Sequence, residues 1–555
     1  MKPIRTFTFM ALAALAWFRA DACTSLIAAK GATADGSTMI TYAADSHALY
    51  GELYHQPAAD YPEGAMMQVT DWDSGRLLGE IPQVRHTYAT MGNMNEHGLA
   101  ITESTWGGRH ELAGTGMIDY GSLIYITLQR ARTAPEAIKV MTDLIDRYGY
   151  ASEGESFSIA DPDQVWIMEL IGKGKADKGA VWVARRVPDG YISGHANHAR
   201  IHTFPQDDDP GTLYSPDVID FARSQGYFSG DDRDFDFSRA YAVYDMGALR
   251  GCDARVWSYF NRFLPQGEAD RWLPWVTEGS GEIMPLWVKP DKAVSARDLK
   301  DMMRDHFEGT PLDMTTDIGA GPYGVPYRWR PLTYKVDSAE YTHERAIATQ
   351  QTAFSLVASL NANRHPAMKG LMWFGVDDAN TAVYIPVFNS LSKVPHQLEV
   401  GNGDLLNLSW DSMFWVNNYV ANQAYNRYSQ MIPDIRRVQG AFENRFNAEV
   451  DSLTAATPAD APYADVQARL QALTDNAAAE VTTAYKDLGD FLLVKFLDGN
   501  VKKQNPDGSF KRTPEGTPAG PDFPGYDERY YRSIVNEQGD RLKVRPVKFG
   551  NEPAK

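Results

Sequence analysis

The alternation of apolar and polar positions predicts short strands through the first 200 residues, interrupted by one pair of helices. Two strand-like runs flank the turn residues Gly31 and Gly36, which predicts a hairpin beginning directly after Cys23. A second hairpin is predicted around the polar segment 92–98, and Thr133 is predicted to cap the second helix. The predicted strands cover residues 24–30, 37–42, 86–91, 99–104, 156–159, 165–171, 180–185 and 191–196, and the helices cover 120–131 and 135–148.

The remainder of the chain divides into a region of mixed composition and a helical region. Residues 203–345 are rich in Asp, Gly, Pro and aromatic residues, with helices predicted at 216–225 and 296–306. Strand patterns resume afterwards, so we interpret this region as an elaboration inside one fold rather than a separate domain. From residue 410 to residue 497 the pattern is helical, with a break near 457–462. The later strands are predicted at 353–359, 370–374 and 381–388.

Composition and charge restrict the class of partner. Of the 555 residues, 43% are hydrophobic and 23% are charged, which is ordinary for a globular protein. Lys and Arg total 54 against 72 Asp and Glu, giving a net charge of −18. This charge repels a phosphate backbone or an anionic membrane surface, so nucleic acid and peripheral membrane partners are disfavoured.

The N-terminus has the order of a secretory signal peptide. Lys2 and Arg5 precede an apolar run at 7–18, and the small-x-small segment 20–22 follows. The run is too short to span a bilayer, so stable membrane insertion is not expected. We therefore predict an exported protein, periplasmic or extracellular, whose mature chain begins at Cys23.

Cys23 and Cys252 are the two cysteines of the chain, and three interpretations of Cys23 are open on position alone. In an oxidising compartment the two residues could form a disulfide. Cys23 could also carry a lipid anchor, although Ala20 and Asp21 do not fit the usual lipoprotein motif. Alternatively, cleavage unmasks a nucleophile whose own α-amine serves as base, because the two groups have ordinary pKa values of about 8 and 8.5.

Several common catalytic signatures are missing from the sequence. The chain contains no G-x-S-x-G, H-E-x-x-H, G-x-x-x-x-G-K-[ST] or strand-placed G-x-G-x-x-G segment. The pairs His195/His198 and His343-Glu344 lack the further convergent ligands that a zinc site needs. We assign no metal and no cofactor.

Spaced motifs between residues 23 and 397 carry a family resemblance. The segments are Cys-Thr-Ser-Leu-Ile from Cys23, Ala-Asp-Gly-Ser-Thr-Met-Ile from Ala34, Asp45-Ser46-His47, and residues 94–100, 196–201, 237–239, 372–374 and 383–387. Taken in this order, they resemble the cysteine-type N-terminal-nucleophile dipeptidases, the PepD and secernin group, which are related to penicillin V acylases and bile salt hydrolases. The C-terminal helical part adds little to the resemblance.

The resemblance implies a fold and a division of the chain. The expected class is α+β, an N-terminal-nucleophile αββα sandwich with an added C-terminal helical region. The expected segments are a signal peptide (1–22), a catalytic domain with an insertion around 203–345 (23–405), a helical region (406–505) and a C-terminal extension (506–555).

The resemblance also implies roles for individual residues. Cys23 would attack an amide carbonyl and form a thioester, and Asp45 would orient its α-amine. Asn197 matches the oxyanion-hole Asn, where one donor typically lowers the barrier by about 3 to 4 kcal/mol. Arg239 matches an Arg expected to hold Asp45 or to lower the thiol pKa. The related acylases carry an Arg three residues before the Asp, whereas here that position is Tyr42.

The segment after the 92–98 turn departs from the acylases, which place an oxyanion-assisting Asn there. This chain has Glu103 instead, and a carboxylate near the site suits a substrate with a free α-amine. The leading hypothesis is therefore an exported dipeptidase, with Glu103 as a candidate for amine binding. The alternatives are a penicillin V acylase or bile salt hydrolase type of amidase and a lipidated binding protein without catalysis. A homo-oligomer is compatible with each of these.

Overall fold

The computed structural model describes residues 23–175, 177–207 and 209–547, so the signal peptide predicted at 1–22 lies outside the described residues. The strands are β1 (Ser25–Ala28), β2 (Thr38–Asp45), β3 (His55–Gln56), β4 (Ala59–Asp60), β5 (Met66–Thr70), β6 (Leu77–Pro82), β7 (His86–Thr87), β8 (Thr90–Met91), β9 (Met94–Asn95), β10 (Ala100–Gly107), β11 (Gly154–Ala160), β12 (Val165–Gly172), β13 (Ala180–Arg186), β14 (Ile192–His195), β15 (Thr212–Tyr214), β16 (Trp287–Val288), β17 (Thr333–Val336), β18 (Ala339–Thr342), β19 (Thr352–Leu360), β20 (Gly370–Val376) and β21 (Ile385–Phe388). The helices are α1 (Tyr120–Leu128), α2 (Ala134–Tyr148), α3 (Val218–Ser224), α4 (Phe237–Tyr241), α5 (Met246–Ala248), α6 (Ala254–Phe263), α7 (Leu273–Glu278), α8 (Ala296–Met302), α9 (Met413–Asn426), α10 (Tyr428–Ala455), α11 (Tyr463–Lys495) and α12 (Glu528–Gln538).

Two antiparallel sheets form the centre of the fold. The first has the strand order β16-β14-β1-β2-β19-β20-β21, and the second has the order β15-β13-β12-β11-β10-β9-β8-β3. Three two-stranded ribbons, β4-β7, β5-β6 and β17-β18, stand apart from them. The predicted α+β class is confirmed.

The predicted first hairpin forms the middle of the first sheet. Every residue of β1 and β2 is buried, and Ile27 pairs with Ile40 across the two strands. The backbone of Thr24 also pairs with that of Ala43, which extends the ladder to the residue after Cys23. The sheet therefore fixes the backbone next to Cys23, the first residue after the predicted cleavage site.

Polar side chains join the two sheets next to Cys23. On the first sheet, Ser25 donates through its hydroxyl to Thr102 over 3.2 Å. The ring of His195 lies within hydrogen-bond distance of Ser104 and Ser158 on the second sheet, at 2.6 and 2.8 Å. Since the remaining contact between the sheets is largely apolar, these bonds fix their relative position.

Helices cover the outer faces of both sheets. The apolar faces of α1 and α2 pack on one side of β10 to β13, and Thr133 caps α2 as predicted by accepting from the Glu136 amide. Helices α6, α8 and α9 to α11 pack against the first sheet. The predicted break in the C-terminal helical region coincides with the turn between α10 and α11.

Three expectations differ from the structure. The predicted hairpin around residues 92–98 forms instead as short strands β8 and β9 before β10, because the Asn95 side chain bonds four backbone groups of its surroundings. The middle region contains more helix than predicted, including α4 to α7. Cys23 and Cys252 are both free thiols, so the disulfide considered from the sequence is wrong.

Within the described residues, no helix is both long and apolar enough to cross a membrane.

Candidate active site

Cys23 is buried at the end of a pocket between the first sheet and α1. Its side chain is 6% exposed, and Sγ lies 3.5 Å from Glu103 Oε1 and 3.8 Å from the Tyr42 hydroxyl. The pocket contains about 720 Å³ of space not occupied by atoms, part of which is open to solvent. Its walls come from the end of β2, from β10, from α1 and from the turn between β5 and β6.

The surroundings of Cys23 keep its thiol protonated. Burial, followed by the charges of Glu103 and Asp45, raises the thiol pKa well above its ordinary value. The Asp45 backbone amide donates toward the sulfur, and this bond and the contact with the Tyr42 hydroxyl oppose the rise in pKa without reversing it. A nucleophilic attack by Cys23 therefore needs a base that takes the proton during the reaction.

Asp45 lies at the end of β2 with a fixed, buried carboxylate. It forms an ion pair with Arg345, and the Thr352 hydroxyl donates to Asp45 Oδ1 over 2.5 Å. The Gln351 side chain donates to the Asp45 carbonyl over 3.2 Å. The structure thus places Asp45 beside Cys23 with the charge of the carboxylate balanced by an arginine.

Asn197 follows β14 and has a left-handed backbone with φ of 56°, a conformation that Asn adopts more readily than most residues. Its amide nitrogen Nδ2 donates to the Thr105 carbonyl over 2.5 Å, and its backbone amide donates to Ser104 Oγ over 3.2 Å. The same Ser104 hydroxyl bonds His195. A chain of polar contacts between the two sheets therefore fixes the orientation of Asn197.

The imidazole of His195 in that chain is neutral. Burial, then the charges of Arg200 and Arg255, lowers its pKa to about 3. Because the ring is uncharged at neutral pH, it bonds the two serine hydroxyls without placing a further cation near Cys23. His195 thus has a positioning role rather than the metal-ligating role weighed for it from the sequence.

Arg255, from α6, connects Cys23 to Asn197. Its guanidinium donates to the Cys23 carbonyl over 2.7 Å, to Thr24 Oγ1 over 2.6 Å and to Asn197 Oδ1 over 2.9 Å. Burial, then the charge of Arg345, lowers the Arg255 pKa to about 10, so the group remains a cation at neutral pH. Sequence reasoning missed both Arg255 and Arg345, since neither belongs to a motif that marks its role.

Arg239 does not join this group. Its side chain is 64% exposed and lies 3.6 Å from Asp236, the residue that caps α4. The short helix α4 turns Ser238 inward, where its hydroxyl donates to the Ala199 carbonyl over 2.6 Å, and directs Arg239 to solvent. The contact with Asp45 that the resemblance implied for Arg239 is made by Arg345.

Glu103 is buried in the pocket wall beside the sulfur. Its Oε1 accepts a close hydrogen bond from the Tyr42 hydroxyl, and its carboxyl group shares a hydrogen bond with the carboxyl group of Glu155. Burial raises the Glu103 pKa, and burial together with the charge of Glu103 raises the pKa of neighbouring Glu155 further. Of these two carboxyl groups, Glu103 is therefore the one that ionises first.

The part of the chain that the structure describes has no group of three or more His, Cys, Asp or Glu side chains arranged to hold a metal ion.

The geometry brings together four of the five predicted site residues, namely Cys23, Asp45, Glu103 and Asn197. The residue types that meet here are those of acyl transfer: a thiol, a charge-balanced carboxylate and amide donors.

Comparison with known proteins agrees with this chemistry. The sequence model of peptidase family C69 matches residues 22–441, which is most of the chain. A probable dipeptidase of Latilactobacillus sakei is 24% identical over 391 residues, covering 67% of this chain and 74% of that protein. A probable dipeptidase of Salmonella dublin is 24% identical over 356 residues, covering 60% and 76%. A dipeptidase of Bifidobacterium longum is 23% identical over 481 residues, covering 78% and 83%.

The resemblance to the dipeptidases is therefore confirmed, and the chain belongs to peptidase family C69.

Proposed function

We propose that this peptidase is an exported cysteine dipeptidase in which Cys23, freed as the first residue, is the nucleophile of an N-terminal-nucleophile αββα fold. The observation that carries the proposal is the position of Cys23 Sγ, buried in a pocket and 3.5 Å from Glu103 Oε1. The two facing sheets with helices on their outer faces are consistent with such a fold. Export rests on the signal-like order of residues 1–22.

The reaction proceeds through a thioester. The Cys23 α-amine accepts the thiol proton as Sγ attacks the substrate carbonyl carbon, forming a C–S bond. The C–N bond then breaks, and the protonated amine delivers its proton to the leaving nitrogen. A water molecule next gives a proton to the same amine and attacks the thioester, and the proton returns to sulfur as the acid product leaves.

The neighbouring residues suit these steps. Asp45, balanced by Arg345, holds a carboxylate beside Cys23 that can orient and stabilise the α-ammonium formed in each half-reaction. Asn197, held by Ser104 and Arg255, is the proposed oxyanion donor through its side-chain amide, which in the structure donates to the Thr105 carbonyl. Tyr42, at the position where related acylases carry a cation, accepts a hydrogen bond from the Cys23 thiol.

The position of Glu103 supports a preference for substrates with a free N-terminus. In a peptide, the α-nitrogen is about 2.5 Å from the carbonyl carbon that the sulfur attacks, because two bonds of about 1.5 Å separate them. A carboxylate 3.5 Å from Sγ is therefore at the right range to bind the substrate α-ammonium as attack occurs. This geometry limits cleavage to the first peptide bond.

The test begins with the mature protein. N-terminal analysis of the secreted form should find Cys23, and Cys23→Ser should lose dipeptide hydrolysis, while Cys252→Ser serves as a thiol control. Mass spectrometry of rapidly quenched wild-type enzyme with substrate should detect the acylated Cys23. A mature chain that starts elsewhere, or a lipid on Cys23, would contradict the mechanism.

Substrate comparison separates a dipeptidase from an acylase. We expect hydrolysis of dipeptides with a free amine and not of their N-acetyl forms, phenoxyacetyl amides or taurine amides. Glu103→Gln should raise KM for free dipeptides and reduce the ratio of their kcat/KM to that of the N-acetyl forms. Preferential turnover of the phenoxyacetyl or taurine amides would favour the acylase alternative.

A further inference from the structure

Glu155 lies behind Glu103, on the neighbouring strand of the second sheet. In the antiparallel register of β10 and β11, Glu155 is opposite Thr105, and Glu103 precedes Thr105 by two residues. The three side chains therefore share one face of the sheet. Glu103 and Thr105 line the pocket, whereas Glu155 is 0% exposed and is not one of the described residues that line it. A substrate in the pocket thus contacts Glu103 but not Glu155.

In each of the two carboxyl groups, one oxygen is held by a hydroxyl group. Tyr42 donates to Glu103 Oε1, and Thr105 Oγ1 donates to Glu155 Oε2 over 3.0 Å. The two carboxyl groups are also hydrogen-bonded to each other. Because hydroxyl groups bind the other two oxygens, Glu103 Oε2 and Glu155 Oε1 are the atoms available for this bond. The pair is therefore held from both sides within the pocket wall.

A hydrogen bond between two carboxyl groups requires a proton. Ionised carboxylates only accept hydrogen bonds, so two of them cannot bond each other, whereas a protonated carboxyl group donates to a carboxylate. Such O–H···O⁻ bonds are among the stronger hydrogen bonds in proteins. The contact between Glu103 and Glu155 is therefore compatible with at most one negative charge on the pair.

The charges around Glu155 favour retention of this proton. After Glu103, the charge that acts most on Glu155 is that of Asp73, in the turn between β5 and β6, and it is also negative. The neighbouring phenol of Tyr150 stays neutral, because burial, then the charge of Glu155, raises its pKa well above the ordinary value. Since the pKa of Glu155 is raised further than that of Glu103, Glu155 is the donor of the pair and Glu103 the acceptor.

We infer that Glu155 is a positioning residue for Glu103: the two carboxyl groups share one proton, and their bond holds a single negative charge at the pocket wall for the substrate α-ammonium. The inference rests on the proposed function, since it takes Glu103 as the group that binds this ammonium. One negative charge matches one ammonium, and a carboxylate that is already fixed need not be ordered when the substrate binds.

Two substitutions of Glu155 separate the shared bond from the packing. Glu155→Gln keeps a donor for Glu103 and an acceptor for Thr105, so we expect its KM for a free dipeptide to stay within about threefold of wild type. Glu155→Leu has neither group and should raise KM about tenfold, the usual effect of losing one hydrogen bond to a charged group, with a smaller change in kcat. Glu153→Leu, exposed and two residues earlier, is the matched control and should keep the wild-type KM.

Infrared difference spectroscopy detects the proton itself. At neutral pH, the spectrum of wild type minus that of Glu155→Gln should contain the C=O band of one protonated carboxyl group, and this band should shift when H₂O is replaced by D₂O. The bands of ionised carboxylates should be unchanged between the two proteins. A role of Glu155 in packing alone would not produce this pattern.

The outcomes are distinct from failure of the proposed function. A KM that rises as far in Glu155→Gln as in Glu155→Leu, or an unchanged KM in a folded Glu155→Leu, would overturn the inference. Loss of a carboxylate band in Glu155→Gln, in place of the acid band, would also overturn it, whether or not Glu155→Leu folds. Absence of dipeptide turnover by wild type, or full activity in Cys23→Ser, would instead refute the proposed function, and would do so without changing the infrared band.

Discussion

The Arg255 guanidinium donates to the side-chain oxygen of Asn197 over 2.9 Å while it also holds the carbonyl of Cys23 over 2.7 Å. One buried cation therefore fixes the distance between the proposed nucleophile and the proposed oxyanion donor. This relationship gives α6 a positioning role in the site, although none of its side chains lines the pocket.

Replacing Arg255 by Lys keeps the charge but removes the planar fork that reaches both partners. We expect kcat to fall at least about 100-fold, because small displacements of reacting groups cost that much. Steady-state kinetics on one dipeptide measures the effect, with circular dichroism to confirm folding. Arg239→Lys is the matched control and should remain within about twofold of wild type. A larger loss of kcat in Arg239→Lys than in Arg255→Lys would instead support the role first expected for Arg239.

Asn197→Gly separates the side-chain amide from the backbone conformation. Glycine adopts the φ of 56° without strain, so we expect the variant to fold. Loss of the donor should lower kcat by about 100- to 1,000-fold, the usual effect of removing one oxyanion-hole donor. If kcat is retained in a folded Asn197→Gly enzyme, the oxyanion donor must be another group.

The buried pair of Asp45 and Arg345 should show strong coupling in stability. Asp45→Asn or Arg345→Gln alone leaves one buried charge without its main counterion, which typically costs about 3 to 5 kcal/mol. The double variant should be less destabilised than the sum of the two single variants. Urea unfolding of the four proteins gives this comparison, and additive losses would show that the pair is not coupled.

Glu155 should make stability depend on pH. Its pKa in the fold is raised well above the ordinary 4.5 by burial, then by Glu103. In the unfolded chain Glu155 ionises near pH 4.5, whereas the folded protein keeps it protonated at that pH. The contribution of Glu155 to the free energy of unfolding is therefore fully present below pH 4.5 and is lost as the pH rises through the folded pKa.

Glu155→Gln removes this loss, because an amide stays neutral. We expect its Tm to exceed that of wild type by about 2 to 4 °C at pH 8, the shift that 1 kcal/mol produces in a large domain, and to match it at pH 4. Thermal unfolding between these pH values tests the expectation, with exposed Glu153→Gln as control. A gain of equal size at pH 4 would show that ionisation is not its cause.

Local patterns predicted those elements that local interactions determine. The first hairpin, the helix pair and the capping role of Thr133 agree with the structure within a few residues. Alternation and caps act over short ranges of sequence, and there the prediction needs no knowledge of the fold. The prediction for the segment before β10 was wrong because the hydrogen bonds from Asn95 to residues near 130 override the simple hairpin pattern.

The candidate site was predictable only where residues match a motif or mark a departure from it. Cys23, Asp45 and Asn197 match motifs, Glu103 stands where the chain departs from the acylases, and all four lie close together in the structure. Arg255 and Arg345 were not, because each meets its partner across more than 200 residues and is surrounded by ordinary sequence. The predicted position of Arg239 was wrong for a related reason: motif matching cannot tell which face of the short helix α4 is exposed to solvent.

The contact between Asp45 and Arg345 joins residues 300 positions apart, and that between Cys23 and Arg255 joins residues 232 positions apart. During synthesis the thiol emerges first, yet the groups that hold its surroundings follow only after most of the two sheets has been translated. On the proposed mechanism, a growing chain therefore carries a cysteine without a working site. Activity then requires completion of the fold as well as release of Cys23 as the first residue, so peptide hydrolysis does not start before the protein is whole.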